Sequence, residues 1–220
     1  MEKKVILLTD FYLPNNNANG LCIHRIGKAM QKQGYEVHVI AYLEDGLRVE
    51  EEIEGIQVHR VKPMFFYKMR AYYYKHGDSW KGKLCWKLAV FGRRIKKILF
   101  MPWYPLVSPS VAKRYTKEVK RIANQYNICN IVAGYNPIES IYAAKELTRY
   151  SKYKVIAYFM DTFTLTENAQ KSRFIFCMGR RWERKIYESV DAIANFPTYK
   201  QFFASEAYEK YREKMLYAGV

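Results

Sequence analysis

Val5-Ile6-Leu7-Leu8-Thr9-Asp10 leads into Pro14-Asn15-Asn16-Asn17-Ala18-Asn19-Gly20 and then, past one more segment, into Gly34-Tyr35-Glu36-Val37-His38-Val39. Four consecutive apolar residues without alternation are the pattern of a strand buried on both faces, the situation of a central strand in a parallel sheet. The Asn- and Gly-rich stretch reads as a turn. Ile23, Ile26 and Met30 then recur at helical spacing until Gly34 supplies a C-cap, and residues 37–42 form a second apolar run. Strand, loop, helix and strand make the first unit of a doubly wound sheet.

The alternation continues. Gly55-Ile56-Gln57-Val58-His59-Arg60-Val61 interleaves apolar and polar residues, as a half-buried strand near an edge does, and the acidic Glu50-Glu51-Glu52 before it reads as solvated loop. After the breakers Pro102, Pro105 and Pro109, the spacing predicts a helix over 110–126 and a strand over 128–133. Pro137 marks a helix start, with the helix running to about residue 150. A strand over 155–160, a helix over 173–189 and a short strand over 191–195 follow. Strands alternating with helices at this spacing imply a parallel sheet with right-handed crossovers. The expected fold is α/β, a single Rossmann-like doubly wound domain, and 220 residues suffice to bury such a sheet between helical layers.

Composition narrows the classes. Half of the residues are apolar and 26% are charged, and no stretch reaches the roughly 18 apolar residues of a membrane span. The opening apolar run meets Asp10 without a small-residue cleavage site, so it reads as a strand rather than a signal peptide, and the expected location is cytoplasmic. Cys22, Cys85, Cys129 and Cys177 are widely spaced in apolar segments, which predicts neither a disulfide nor a zinc site. Neither G-x-G-x-x-G nor G-x-x-x-x-G-K-[ST] occurs, so dinucleotide and P-loop readings lose their support; no D-x-D and no G-x-S-x-G occur either.

In open parallel sheets, ligands bind beyond the carboxyl ends of the strands. The loops at 10–20, 134–138 and 161–167 should therefore converge on one cleft, with Asp10, Asn19, Gly20, Asn136 and Asp161 as its candidate lining. A helix N-terminus with free N–H groups near Gly20 would suit a phosphate, a carboxylate or a sugar hydroxyl; as a lone glycine, Gly20 also reads simply as a turn residue. Asp10 and Asp161 read equally as hydroxyl contacts or as loop caps.

The net charge of +16 is concentrated: residues 60–104 carry 12 basic side chains against the single acid Asp78. Twelve aromatic residues are interleaved with them. From Leu84, the positions Leu84, Leu88, Phe91, Ile95 and Ile98 keep one helical face, while Lys83, Lys87, Arg94 and Lys97 lie away from it. With Trp86, these basic residues are the candidate contacts to an anionic membrane surface. The competing reading packs the apolar face on the sheet with the charges solvated. Nucleic acid is a third possible partner, but no nucleic-acid motif supports it.

Four segments, in order, resemble the N-terminal domain of family 4 glycosyltransferases, enzymes of the two-domain GT-B fold. They are Thr9-Asp10-Phe11-Tyr12-Leu13-Pro14 through Asn19-Gly20 with Gly34-Tyr35-Glu36-Val37-His38-Val39; Glu54-Gly55-Ile56-Gln57-Val58-His59-Arg60-Val61; Ile131-Val132-Ala133-Gly134-Tyr135-Asn136-Pro137 with residues 155–161; and Trp182-Glu183-Arg184 with Val190-Asp191-Ala192-Ile193. Residues 62–108 match no family pattern. The chain departs from the family in having Asn19-Gly20 where two glycines are frequent, and Asn136 and Met160 where histidines are frequent; Asn136 can hydrogen-bond but cannot serve as a general base. Lys214-Met215-Leu216-Tyr217-Ala218-Gly219-Val220 resembles the family's final N-domain strand and the opening of the linker. The resemblance implies the acceptor-side half of a retaining, metal-independent enzyme that moves a sugar from a nucleotide-sugar to a glycan or lipid-linked acceptor. No cofactor is implied: the nucleotide-sugar is a substrate held mainly by a donor-binding domain, in cis or in trans, and residues 1–220 alone should bind it poorly. The alternative is a free-standing, non-catalytic domain that pairs with a separate donor-binding chain or docks at a membrane.

Overall fold

The structure, a computed structural model, describes residues 3–15, 17–101, 104–105, 108–160, 164 and 172–218. The strands are β1 (Lys4–Leu8), β2 (Glu36–Tyr42), β3 (Glu50–Ile53), β4 (Ile56–Val61), β5 (Asn130–Gly134), β6 (Lys154–Phe159), β7 (Ala192–Asn195) and β8 (Met215–Tyr217). They form one eight-stranded sheet in the order β3-β4-β2-β1-β5-β6-β7-β8. All pairings are parallel except that of β3 with β4.

The uninterrupted apolar run of β1 has the cause expected of it. Its residues alternate between two cores, Ile6 and Leu8 on one face and Val5 and Leu7 on the other, all buried. The larger core lies under α4 (Pro109–Tyr126), α5 (Ile138–Leu147) and α6 (Arg173–Ser189), through Tyr115, Val119, Ile122, Ile141, Ala144, Trp182 and Ile186. The second core lies under α1 (Ala18–Lys32), through Ile23, and takes Val37, Val39, Ile56 and Val58 from the sheet. α1 ends as its sequence suggests: Gly34 N–H donates to Gln31 O at 2.8 Å and Tyr35 N–H to Met30 O at 3.0 Å, a Schellman closure. Pro109, read as a breaker, is instead the first residue of α4, where its missing N–H has no helical partner to lose. α5 stops at Leu147, short of residue 150.

Glu50-Glu51-Glu52 is not loop. It forms β3, joined to β4 by Glu54 at φ 52° and Gly55 at φ 80°, the two positive-φ residues that a tight hairpin requires. The strand is charged because it is the sheet edge, and three glutamates there discourage pairing with another chain. β4 is consequently one strand in from the edge and more buried than its alternating pattern implies. Its His59 and Arg60 are both almost wholly buried. Arg60 pairs with Glu51 and donates to Leu13 O at 2.7 Å. His59 stacks on His38 with Nε2 3.1 Å from His38 Nδ1, and His38 Nε2 lies 2.8 Å from Glu36 Oε1.

Residues 62–108, which matched no pattern, hold an antiparallel-type helix pair: α2 (Phe65–His76) and α3 (Trp80–Leu99). Ser79 caps α3, its Oγ accepting from Gly82 N–H at 3.0 Å. The two helices meet where Phe66 lies on Gly92; a Cβ at residue 92 would sit 2.3 Å from the Phe66 ring, so only glycine allows the approach. Tyr73 and Trp86 close the other end of the contact, with ring centroids 4.9 Å apart.

Candidate functional site

The strand order reverses between β1 and β5, because β1 runs on to β2 through α1 on one side while β5 and β6 continue on the other. The carboxyl ends of these two strands carry Asp10 and Asn136. Both line a cleft of about 240 Å³. Tyr42, at the end of β2, Pro137, Ile138 and Glu139, at the start of α5, and Tyr67, Arg93, Lys97 and Tyr104, from the α2–α3 region and beyond, complete most of its wall. A second cavity of about 520 Å³ shares Asp10 and Tyr67 with the first and is bounded by Asn17, Glu44, Asp45, Lys68, Arg70 and Tyr74. Asp10 and Tyr67 thus form a partition between two halves of one groove, roofed by α2 and α3.

Asp10 is held from several directions. Asn17 Nδ2 donates to Asp10 Oδ2 at 2.9 Å, while Asn17 Oδ1 accepts from Gly20 N–H at 2.8 Å and so caps α1. One asparagine therefore fixes both the carboxylate and the helix start. Burial lifts the Asp10 carboxyl above its ordinary range; the Phe11 N–H and the Asn17 amide pull it partly back. Below it, Tyr115 donates its hydroxyl to Thr9 O at 2.6 Å. Glu139 is buried in the cleft wall, and burial first, with the nearby Glu139 charge adding to it, raises the hydroxyls of Tyr42, Tyr67 and Tyr115 above their ordinary range. Ser140 bonds back to Gly134 O and, at 2.8 Å, to Pro137 O, which ties the turn bearing Asn136 to the end of β5.

The structure brings Asp10 and Asn136 together. Asn19 and Gly20 lie instead in the first turn of α1, outside both cavities, and the Gly20 N–H expected to be free is occupied by Asn17. Asp161 lies outside the described residues. Sequence reasoning missed Asn17, Tyr67, Arg93 and Tyr104. An Asx cap three residues before Gly20 was a readable signal for Asn17; the others depend on where the α2–α3 pair sits.

The candidate membrane contacts divide by helical phase. Lys83, Lys87 and Arg94 are exposed. Trp86 turns inward against Tyr73 and lies 5.9 Å from the Arg70 guanidinium, and Lys97 lines the cleft. The apolar face does not pack on the sheet: Trp80, Leu84, Leu88, Phe91, Ile95 and Ile98 are each between 40% and 70% exposed. No described helix is long and apolar enough to cross a membrane.

Among the described residues one His–carboxylate group has metal-ligand spacing, Glu50, His59 and Glu118, with ligand atoms within 4.8 Å of one another. Arg121 already supplies its cation, pairing with Glu50, reaching Glu118 Oε1 at 2.7 Å and lying 3.3 Å from His59 Nδ1.

The sheet order, the switch point and the groove above it can be set beside solved structures. The chain has the fold of one half of a GT-B glycosyltransferase. It aligns over 98% of its length with 51% of the catalytic domain of starch synthase IV from Arabidopsis thaliana, bound to ADP and acarbose, at a TM-score of 0.55 and 11% identity. It is also similar to α,α-trehalose 6-phosphate synthase from Burkholderia multivorans (97% of this chain, 42% of that one, TM-score 0.49, 10% identity) and to the spinosyn rhamnosyltransferase SpnG (89% and 46%, TM-score 0.40, 12% identity). The chain thus spans about half the length of the solved structures it matches. No protein-family model matches the sequence, and no curated protein does.

Proposed function

We propose that this chain is the acceptor-binding half of a retaining, metal-independent glycosyltransferase of the family 4 type, and that it moves a sugar from a nucleotide-sugar to a glycan or lipid-linked acceptor. The observation that carries this reading is the convergence of Asp10 and Asn136 at the switch point of a GT-B half. Asn136 offers both a donor and an acceptor to sugar hydroxyls, and the Asp10 carboxyl offers acceptors to them; Tyr67 and Tyr104 give the apolar ring faces that sugars stack on. The nucleotide part of the donor belongs to a second domain, in cis or in trans.

In this reading the enzyme works at an anionic bilayer. The stripe Trp80, Leu84, Leu88, Phe91, Ile95 and Ile98 supplies the apolar face, and Lys81, Lys83, Lys87 and Arg94 supply flanking charge on a helix with no acidic residue. Each such cation near an anionic surface adds on the order of 1 kcal/mol. Asn136→Ala in the protein expressed from its whole reading frame tests the cleft: the acceptor KM should rise at least ~10-fold, the loss of one or two hydrogen bonds to the acceptor, with donor hydrolysis unchanged. An unchanged KM would show that the acceptor binds elsewhere than this cleft, and no transfer with any donor would favour the second reading that the exposed stripe supports, a non-catalytic docking domain.

A further inference from the structure

The two faces of α3 do different things. Phe91 and Ile95 belong to the exposed stripe, and Arg93 and Lys97 each stand two residues further on, about 200° around the helix. That rotation carries both cations into the wall of the cleft, opposite Asn136 and Pro137. Neighbouring basic residues are already engaged: Lys96 lies over the Phe66 ring at 5.7 Å, and Arg70 donates to the Tyr74 hydroxyl at 2.8 Å. Arg93 and Lys97 have no hydrogen bond or ion pair among the described residues.

The cleft also contains two carboxylates that could have neutralised them. Neither forms an ion pair with them among the described residues: Asp10 is taken up by Asn17 and by the Phe11 N–H, and Glu139 faces Tyr42, Tyr67 and Tyr115. Two cations without an ion pair among the described residues, on one wall of a 240 Å³ cleft with a hydrogen-bonding Asn136 and the rings of Tyr67 and Tyr104 around them, make a site for an anion joined to a sugar or an alkyl chain.

We propose that Arg93 and Lys97 bind a phosphate group of the acceptor, and that this acceptor is a lipid phosphate or lipid-linked glycosyl phosphate whose alkyl part lies in the bilayer on which the opposite face of α3 rests. This inference rests on the reading of the cleft as the acceptor site. It gives the helix a reason to be amphipathic in this particular phase: one face sets the depth at which the chain sits on the membrane, and the other receives the headgroup that emerges there.

Two probes separate the sources of the phosphate. Phenyl phosphate is soluble; hexadecyl phosphate diluted into phosphatidylcholine vesicles presents the same phosphate monoester from a bilayer. The chain should bind the vesicles more tightly than the soluble ester, because docking and headgroup capture act together. R93Q/K97Q should weaken phenyl phosphate binding by about 10-fold or more, the loss of two charge-assisted hydrogen bonds, and L88E/F91E should leave it unchanged while releasing the vesicles. Lys97→Gln alone, at an exposed position, reads the same effect should the double variant fail to fold. Phenyl phosphate affinity unaltered by both variants would overturn the anion site. Phenyl phosphate bound as tightly as the vesicle phosphate would overturn the lipid origin. In the protein expressed from its whole reading frame, R93Q/K97Q should raise the acceptor KM at constant kcat. An unchanged KM, with Asn136→Ala still impaired, removes the anion site alone, whereas transfer indifferent to both variants removes the acceptor reading beneath it.

Discussion

Asp10 stands two residues past the end of β1, and its position at the mouth of the sheet was readable because a polar residue just beyond a buried strand has nowhere else to go than the crevice above it. Asn136 was readable for the same reason. Asn17 is legible as the cap of α1 but not as the partner of Asp10, since it stands in a run of three asparagines and only the folded turn decides which one faces the carboxylate. The shift on Asp10 has a thermodynamic consequence. A carboxyl whose folded pKa is raised binds its proton more tightly in the native state, so ionisation costs stability. That cost is absent below the ordinary carboxyl value near 4, grows as pH rises to the folded value, and is constant above it. Asp10→Asn keeps an oxygen for the Asn17 amide and removes the ionisation. The Tm of this variant relative to the wild type should therefore rise between about pH 4 and neutrality. A difference that stays flat across that range would show that the carboxyl is not desolvated.

At the scale of elements, periodicity identified the strands and helices that bury a continuous face and failed where the partner decides the structure. β3 has the composition of a loop and is a strand because the Glu54-Gly55 turn folds it back on β4. α2 went unread because Phe65-Phe66-Tyr67 and Tyr72-Tyr73-Tyr74 are aromatic on all sides, with no face to distinguish. α3 was read as amphipathic, but the phase of its apolar face did not say what would cover it. Its inner face packs through the small residues Gly82, Ala89 and Gly92 together with Trp86, and leaves Trp80, Leu84, Leu88, Phe91, Ile95 and Ile98 outside. Two variants separate these roles. Gly92→Ala forces the Phe66 ring to move and should cost about 1–3 kcal/mol in denaturant unfolding; a cost near zero would mean that α2 and α3 are not packed as described. L88E/F91E touches only exposed positions and should change stability by no more than about 0.5 kcal/mol. It should nevertheless abolish co-sedimentation with vesicles containing phosphatidylglycerol. Co-sedimentation that persists would contradict the membrane face, and a stripe covered instead by a second copy would show as a concentration-dependent dimer.

The whole molecule is a doubly wound sheet whose single order reversal lies under the groove, and that much followed from the spacing of strands and helices along the chain. What the spacing could not supply is the roof. Residues 62–108 carry most of the charge excess, match no pattern, and place Tyr67, Arg93 and Lys97 over the switch point. The central claim is that this groove receives an acceptor for glycosyl transfer. The measurement that tests it most directly is incorporation of radiolabelled sugar from a panel of nucleotide-sugars into an anionic membrane-lipid extract, by the protein expressed from its whole reading frame. The account predicts incorporation with at least one donor, lowered by Asn136→Ala and by R93Q/K97Q at limiting acceptor; transfer that neither substitution alters would contradict it.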